Sequence, residues 1–292
     1  MFLANQWKDY EIIDAKQGEK LERWGKFILR RPDPLAVWDI PARDASPEWG
    51  KAHARYLRSK SGGGHWETFA KLPDMWKIQY RNLTFGLKPM GFKHTGLFPE
   101  QAANWDWFSR LIQDSGRKDI KVLNLFAYTG GATVAASAAG AAVCHVDAAK
   151  GMVNWAKENA ALSGLSERPI RYIVDDVKKF VSRELRRGNQ YDGIIMDPPS
   201  YGRGPSGEVW RIENELFPLV RDCAALLSDR PLFFLINSYT TGLSGSVLRN
   251  VVKLTVMKRF GGDLQVDEVG LPITNGGLVL PCGYSARWQS QQ

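Results

Sequence analysis

The spacing of apolar and polar positions changes character partway along the chain. Through residues 1–92 the apolar residues come in short runs, Tyr10-Glu11-Ile12-Ile13, Lys26-Phe27-Ile28-Leu29, Trp76-Lys77-Ile78-Gln79-Tyr80 and Leu83-Thr84-Phe85-Gly86-Leu87, separated by Pro, Gly and Asp turns. Short runs with such punctuation predict a small, mostly β module. After Pro99 the pattern lengthens. A helix is expected over Glu100–Gln113, closed by Ser115-Gly116. Strands at Ile120–Phe126, Ala142–Val146, Ile170–Val174, Tyr191–Met196 and Leu232–Asn237 then alternate with helices at Gly131–Ala139, Ala149–Ser163, Val177–Arg187, Glu213–Leu227 and after Ser246. Asp263–Val269 and Gly277–Pro281 resemble a closing hairpin. This alternation predicts an α/β fold, a doubly wound, mostly parallel sheet with helices on both faces. The expected domains are a β-rich module over 1–92 and the α/β domain over 93–292.

The strand ends carry the chemistry. Gly193-Ile194-Ile195-Met196 reads as a strand buried on both faces, and Asp197-Pro198-Pro199-Ser200-Tyr201 follows it directly. Neither proline can donate to a ladder, and the residue before each is pushed towards extended geometry. The outcome is a stiff loop at the carboxyl end of a central strand, where open α/β sheets bind ligands. Its carboxylate and free carbonyls suit a planar amine or heterocycle; the plainer alternative is a strand-ending turn.

Three further strand ends extend the picture. Asn124-Leu125-Phe126-Ala127-Tyr128-Thr129-Gly130-Gly131 puts paired glycines between a strand and a helix, allowing close backbone approach to a ligand. Its spacing is not the G-x-G-x-x-G of dinucleotide sites. Asp147, followed by Ala148, stands 17 residues beyond Gly130 and can accept from both hydroxyls of a ribose. Asp175-Asp176-Val177 offers a carboxylate to an adenine amino group, or an N-cap to the next helix. Together these point to an adenosine-containing cofactor without a pyrophosphate.

This ordered set resembles class I S-adenosylmethionine-dependent methyltransferases, and within them the branch containing ribosomal RNA large-subunit methyltransferases I and K. Lys93-His94-Thr95-Gly96-Leu97-Phe98-Pro99-Glu100-Gln101 is similar to a Lys-Thr-Gly-x-x-x-Asp-Gln-Arg segment of that branch, with Ala102 where its arginine stands. The likeness spans Gly91 to Asn237 and implies a seven-stranded, Rossmann-like methyltransferase sheet. It implies S-adenosylmethionine as cofactor, with Asp147 at the ribose, Asp176 at the adenine beside Asp175, and Gly130 with Ala127 near the methionine portion. Asn124, Tyr128, Thr129 and Ala148 belong to the same cofactor set, and Thr95, Phe98 and Gln101 would help cover it. Asp197, Pro198, Pro199 and Tyr201 would face the reacting methyl.

Composition bears on the acceptor. The net charge is +8, with 17 Lys+Arg against 12 Asp+Glu in the first hundred residues and 22 against 19 in the rest. A basic chain fits a polyanion such as RNA, possessed here of no single basic cluster. Six tryptophans of the first module (Trp7, Trp24, Trp38, Trp49, Trp66, Trp76) either stack on bases or, the favoured reading, fill a thin core. Lys178, Lys179, Arg183, Arg186 and Arg187 form a candidate basic helix face or simply a solvated one. Gly202–Gly207 suggests a lid or substrate-gripping segment in which Arg203 could meet a phosphate, or a plain flexible connection, and Ser61–Gly64 reads as a mobile loop. Cys144, Cys223 and Cys282 form no zinc or disulfide pattern, so no metal is expected. None follows the prolines, and the fifth strand ends Asn237-Ser238. Carbon-5 methylation of a pyrimidine, which needs an attacking cysteine, is therefore not expected. No apolar stretch reaches the ~18 residues of a membrane span, and the start lacks signal-peptide order, which favours the cytoplasm. The expectation is methyl transfer to a nitrogen of an RNA base, with ribosomal RNA the candidate. A small molecule or protein acceptor, an NAD-dependent oxidoreductase and a silent RNA-binding module remain as rivals.

Overall fold

The β pattern of the N-terminal part is realised in a computed structural model that describes residues 1–59, 63–203 and 209–291. The chain divides into two units, Met1–Ala103 with Val269–Cys282, and Asn104–Glu268 with Gly283–Gln292. The expected boundary at 92/93 thus falls inside the first unit. That unit runs on because Trp7 donates to the Pro99 carbonyl (2.9 Å) and Arg31 to the Lys93 carbonyl (3.0 Å).

The first unit contains β1 (Phe2–Leu3), β2 (Tyr10–Lys16), β3 (Glu19–Trp24), β4 (Phe27–Pro32), β5 (Ala54–Arg58), β6 (Gly64–Thr68), β7 (Trp76–Tyr80) and β8 (Leu83–Leu87). Strands β2 to β6 form one sheet in chain order, and β7 and β8 form a hairpin. In β7 the period is two: Trp76, Ile78 and Tyr80 are buried while Lys77 and Gln79 are exposed. β3 breaks that rule, because Glu22 is fully buried beside Leu21. Its carboxylate receives Arg31 (2.5 and 2.7 Å) and Tyr10 Oη (2.7 Å), which supplies the partners a buried charge requires. None of the six tryptophans is exposed. Trp38 donates to the Ala15 carbonyl, Trp49 to Asp14 and Trp66 to the Met90 carbonyl, so these rings are structural. Gly64, expected in a mobile loop, opens β6; residues 60–62 lie outside the described residues.

The α/β part contains α1 (Ala102–Asp114), β9 (Lys121–Leu125), α2 (Gly131–Ala138), β10 (Ala142–Asp147), α3 (Lys150–Leu162), β11 (Ile170–Val174), α4 (Val177–Arg187), β12 (Gly193–Met196), β13 (Tyr201–Arg203), β14 (Val209–Arg211), α5 (Ile212–Ala225), β15 (Phe233–Ser238), α6 (Gly245–Val252), a π-helical turn (Lys253–Met257), α7 (Lys258–Phe260), β16 (Asp263–Pro272) and β17 (Val279–Gln289). The large sheet runs β16-β17-β15-β12-β9-β10-β11. Strands β9, β10, β11, β12 and β15 pair in parallel, and β17 lies antiparallel to β15. Phe2–Leu3 adds an eighth strand by pairing with Val269–Gly270, where the resemblance implies seven. Four-residue β12 is buried throughout, as a central parallel strand must be. Helix α4 shows how the sequence sets its own register. Val177, Phe180, Val181 and Glu184 are buried at helical spacing, Asp176 caps the start and Gly188 in the left-handed region ends it.

Candidate active site

The parallel register sets the strand ends in one row. Leu125 is level with Val146 on one side and Met196 on the other, so Phe126, Asp147 and Asp197 are the next residues along. Ile236 is level with Met196, which adds Asn237 at one end of the row, and Val174 is level with Asp147, so Asp175 follows one residue beyond it at the other end. These are the carboxyl ends, and the order of strands reverses between β9 and β12, the place where such sheets take ligands.

The loop after β9 is built around Asp147. Its Oδ2 accepts the Tyr128 N–H and its Oδ1 the Ala149 N–H, both at 2.8 Å. Phe126 and Tyr128 sit at φ of 54° and 50°, an unusual backbone for side-chain-bearing residues that these bonds help to hold. Gly130 is at φ 82°, and a Cβ there would stand 2.7 Å from the Ala156 Cβ, so only glycine fits. Burial raises the Asp147 carboxyl, with the two N–H bonds acting in the opposite direction. Each carboxylate oxygen spends one lone pair on the loop and keeps another for a hydroxyl. An adenosyl group, whose vicinal diol donates, fits that pair of acceptors.

Asn124 lies beneath this loop, 3% exposed, and donates to Thr133 Oγ1 (2.9 Å), which lies 2.9 Å from His145 Nδ1. His145 Nε2 is buried with no hydrogen-bond partner among the described residues, which leaves Thr133 as the polar contact of the ring. Burial pushes the ring's pKa down to about 3, so His145 is neutral. Thr129, also buried, offers its carbonyl to Asn159 Nδ2 (2.8 Å). Asn124, Thr133, His145 and Asn159 therefore hold the loop from below, and Ala148 is exposed beside Asp147.

The two acids after β11 are divided in role. Asp176 Oδ1 caps α4 by accepting from the Lys179 N–H (2.9 Å), and Asp175 pairs with Arg183. Lys178 meets Glu215 (2.7 Å) and Arg187 meets Glu184 (3.2 Å), so the candidate basic face of α4 is largely paired within the fold.

The Asp197–Tyr201 loop is restricted by composition and by contact. Pro198 is buried, whereas Pro199, Ser200 and Tyr201 are exposed. Trp210 Nε1 donates to the Pro199 carbonyl (2.6 Å), and the Ser200 and Thr240 hydroxyls are 2.6 Å apart. The segment read as a lid, substrate-gripping stretch or flexible connection begins with a hairpin, in which Gly202 pairs with Trp210; residues 204–208 lie outside the described residues.

A family model for S-adenosylmethionine-dependent methyltransferases matches residues 33–228, two thirds of the chain. The protein belongs to that family. The methyltransferase is 31% identical over 218 residues to a ribosomal RNA large subunit methyltransferase K/L of Pseudoalteromonas atlantica, covering 74% of this chain and 28% of that one. It is 29% identical over 204 residues to the protein of that description from Shewanella frigidimarina, covering 68% and 25%. The chain thus spans about a quarter of the length of these curated relatives. A crystal structure of a SAM-dependent methyltransferase from Agrobacterium tumefaciens superposes with a TM-score of 0.92 at 35% identity, covering 99% of this chain and 93% of that one. A further solved structure, complexed with SAH, shares the fold at 20% identity with a TM-score of 0.73 over 97% of this chain and 76% of that one. S-Adenosylmethionine is therefore the cofactor, and the oxidoreductase rival is set aside.

The remaining candidates of the methyltransferase lie in its first unit. Thr95 and Gln101 are buried there and Phe98 is half-buried, with its ring 5.1 Å from that of His94. The Arg31 bond to the Lys93 carbonyl ties the start of this segment to β4. Cys144 and Cys223 are buried in β10 and α5, and burial pushes the Cys144 thiol up to about 11 and the other two upwards as well. A cavity of ≈ 430 Å³ opens at the other edge of the sheet, where Lys121, Ala142 and Ile170 begin their strands. It holds none of the candidate residues. Among the described residues no helix is long and apolar enough to cross a membrane, and no cluster of His, Cys, Asp and Glu is placed to hold a metal.

Nothing in the sequence marks Thr133, His145, Asn159 or Trp210 as parts of this region. His145 stands inside an apolar strand and Trp210 beyond a glycine-rich stretch, and no spacing rule marks either; only their contacts show what they support.

Proposed function

We propose that this methyltransferase methylates a nitrogen of an RNA base, ribosomal RNA being the candidate, without covalent attack by a cysteine. The carrying observation is the row that places the Asp197-Pro198-Pro199 loop beside Phe126 and Asp147 at the carboxyl edge. Asp147 is the ribose acceptor in this reading, and the backbone of Ala127, Tyr128, Thr129 and Gly130 shapes the cradle. Asp175 and Asp176 sit at the adenine end, and Thr95, Phe98 and Gln101 are assigned to the cofactor on the family resemblance. When bound, S-adenosylmethionine supplies a methyl already activated on a sulfonium. The protein then has to hold a nucleophile in line and keep water away, which is where most of the rate comes from. Asp197 and the Pro198 carbonyl accept from the target amine and aim its lone pair, while half-exposed Tyr201 offers a face for stacking.

The absence of a cysteine step is supported by placement. Cys144 lines the cavity at the amino edge, Cys223 is enclosed in α5, and Cys282 belongs to the first unit. RNA as acceptor is supported by the +8 charge and by the names of the relatives. The test is transfer of radiolabelled methyl to RNA, protein and small-molecule fractions from cells lacking the chain, with Asp197→Ala as control. Label in RNA that disappears with the variant, at a nucleoside methylated on nitrogen, is the expected result. Label in another fraction, or a 5-methylpyrimidine, overturns the reading.

A further inference from the structure

Between Asp197 and Pro199 almost every backbone torsion is already restricted. Ring closure sets φ of Pro198 and Pro199. Asp197 and Pro198 each precede a proline, which confines their ψ towards extended values. Pro199 is followed by Ser200, so its ψ is the soft torsion left. That torsion turns the Pro199 carbonyl, and the carbonyl accepts from Trp210 Nε1 at 2.6 Å. Turning it would also swing Ser200 and Tyr201 relative to Asp197.

The surroundings of Trp210 extend this effect. It faces Gly202 across the β13–β14 hairpin, and a Cβ on Gly202 would lie 3.7 Å from the Trp210 Cβ and 3.9 Å from the Pro199 Cγ. Its ring meets that of Phe126 with centroids 5.3 Å apart at 58°. Phe126 opens the loop whose Tyr128 N–H binds Asp147. One indole therefore touches the loop assigned to the acceptor and the loop assigned to the cofactor.

We propose that Trp210 is a positioning residue for methyl transfer, whose indole N–H fixes the Pro199 carbonyl and so the place of Tyr201 relative to Asp197. The inference rests on the reading that Asp197–Tyr201 faces the acceptor. A tryptophan that merely filled space would serve equally well without its N–H, and Trp210→Phe makes that distinction. This variant keeps an aromatic ring against Phe126 and loses the donor together with part of the indole's volume, a packing loss that the melting temperature reads separately.

The experiment has two arms. In the first, the indole signals of ¹⁵N-labelled wild-type protein are recorded, Trp210 being assigned as the signal missing from Trp210→Phe. A Trp210 N–H that exchanges with water more slowly than free indole supports the bond; exchange at the free rate overturns the proposal, and this arm needs no acceptor. In the second, acceptor kinetics are measured on whichever fraction the wild type labels, alongside S-adenosylhomocysteine binding by calorimetry. Trp210→Phe is expected to lower kcat/KM for the acceptor about 3- to 10-fold, the value of one hydrogen bond, with cofactor affinity within about twofold of wild type. Unchanged acceptor kinetics, or activity falling in step with cofactor affinity and melting temperature, overturns it. Label outside RNA would overturn the RNA assignment while still testing Trp210, and if nothing is labelled the indole signal alone decides.

Discussion

Replacing Asp147 by asparagine separates holding the loop from holding the cofactor. The carboxylate accepts two backbone N–H groups, one on each oxygen, at 2.8 Å. Asparagine has a single acceptor oxygen, so one N–H faces an amide donor and must turn to water. The loss of that bond is worth about 0.5–1.5 kcal/mol, or a few degrees of melting temperature for a chain of this size. A ribose hydroxyl loses more, because its acceptor is no longer charged. Bonds to charged groups are worth about 1.5–3 kcal/mol, which predicts roughly 10- to 150-fold weaker binding of S-adenosylhomocysteine by calorimetry. A pH series sharpens the test. Burial raises the Asp147 carboxyl, and the ionised form is the one that accepts from hydroxyls. Wild-type affinity should be full above that raised pKa and fall as pH drops through it, whereas Asp147→Asn should stay flat over the same range. A stable Asp147→Asn protein binding within about threefold of wild type would refute the ribose assignment and leave Asp147 as a loop-holding residue only.

Other expectations follow from single sites. Burial alone would raise the Glu22 carboxyl, but Arg31, Lys20 and the hydrogen bonds from Arg31 and Tyr10 outweigh it and hold the pKa at about 2. Against an unfolded value near 4.3, its contribution of about 3 kcal/mol is present above that pH and disappears as pH falls through about 2. Glu22→Gln should melt markedly lower at neutral pH and show a flatter acid profile, and an unchanged melting curve would count against the pair. Gly130→Ala should lose both stability and cofactor affinity, because left-handed backbone costs an alanine about 1–2 kcal/mol before its Cβ meets Ala156 at 2.7 Å. Thermal melts with and without S-adenosylhomocysteine read both losses, and a variant matching wild type would show that the loop can shift. Cys282→Ala should keep methyl transfer within about threefold of wild type, since no covalent adduct is expected; inactivity with an intact melting curve would point to the thiol.

Much of the α/β part was readable from periodicity because its buried helix faces and fully apolar strands leave a plain record. Val177, Phe180 and Val181 announce α4, and Gly193–Met196 announces β12. The strand-end acids were readable for the same reason, as each closes an apolar run. β3 leaves no such record, because the pattern equates charge with surface and Glu22 is buried by virtue of Tyr10 and Arg31 on the two flanking strands, partners that its own segment does not announce. The β13–β14 hairpin was missed because Gly202 and its neighbours look like a loop until Trp210 is seen across from them. Asp176 shows a third kind of gap: sequence offers it as ligand or cap, and the structure makes it a cap without removing its place at the strand end.

The path of the chain through its last quarter has a practical consequence. After Glu268 it leaves the second unit, contributes Val269–Cys282 to the first, and returns at Gly283. The first unit is therefore discontinuous in sequence, and no single cut releases it whole. A fragment ending at Ala103 would lack the stretch that pairs with Phe2–Leu3, and one starting at Asn104 would carry that stretch without its partner. Deletion mapping of function with such halves would measure damaged pieces. Point substitutions in the full chain are the way to assign work to either unit.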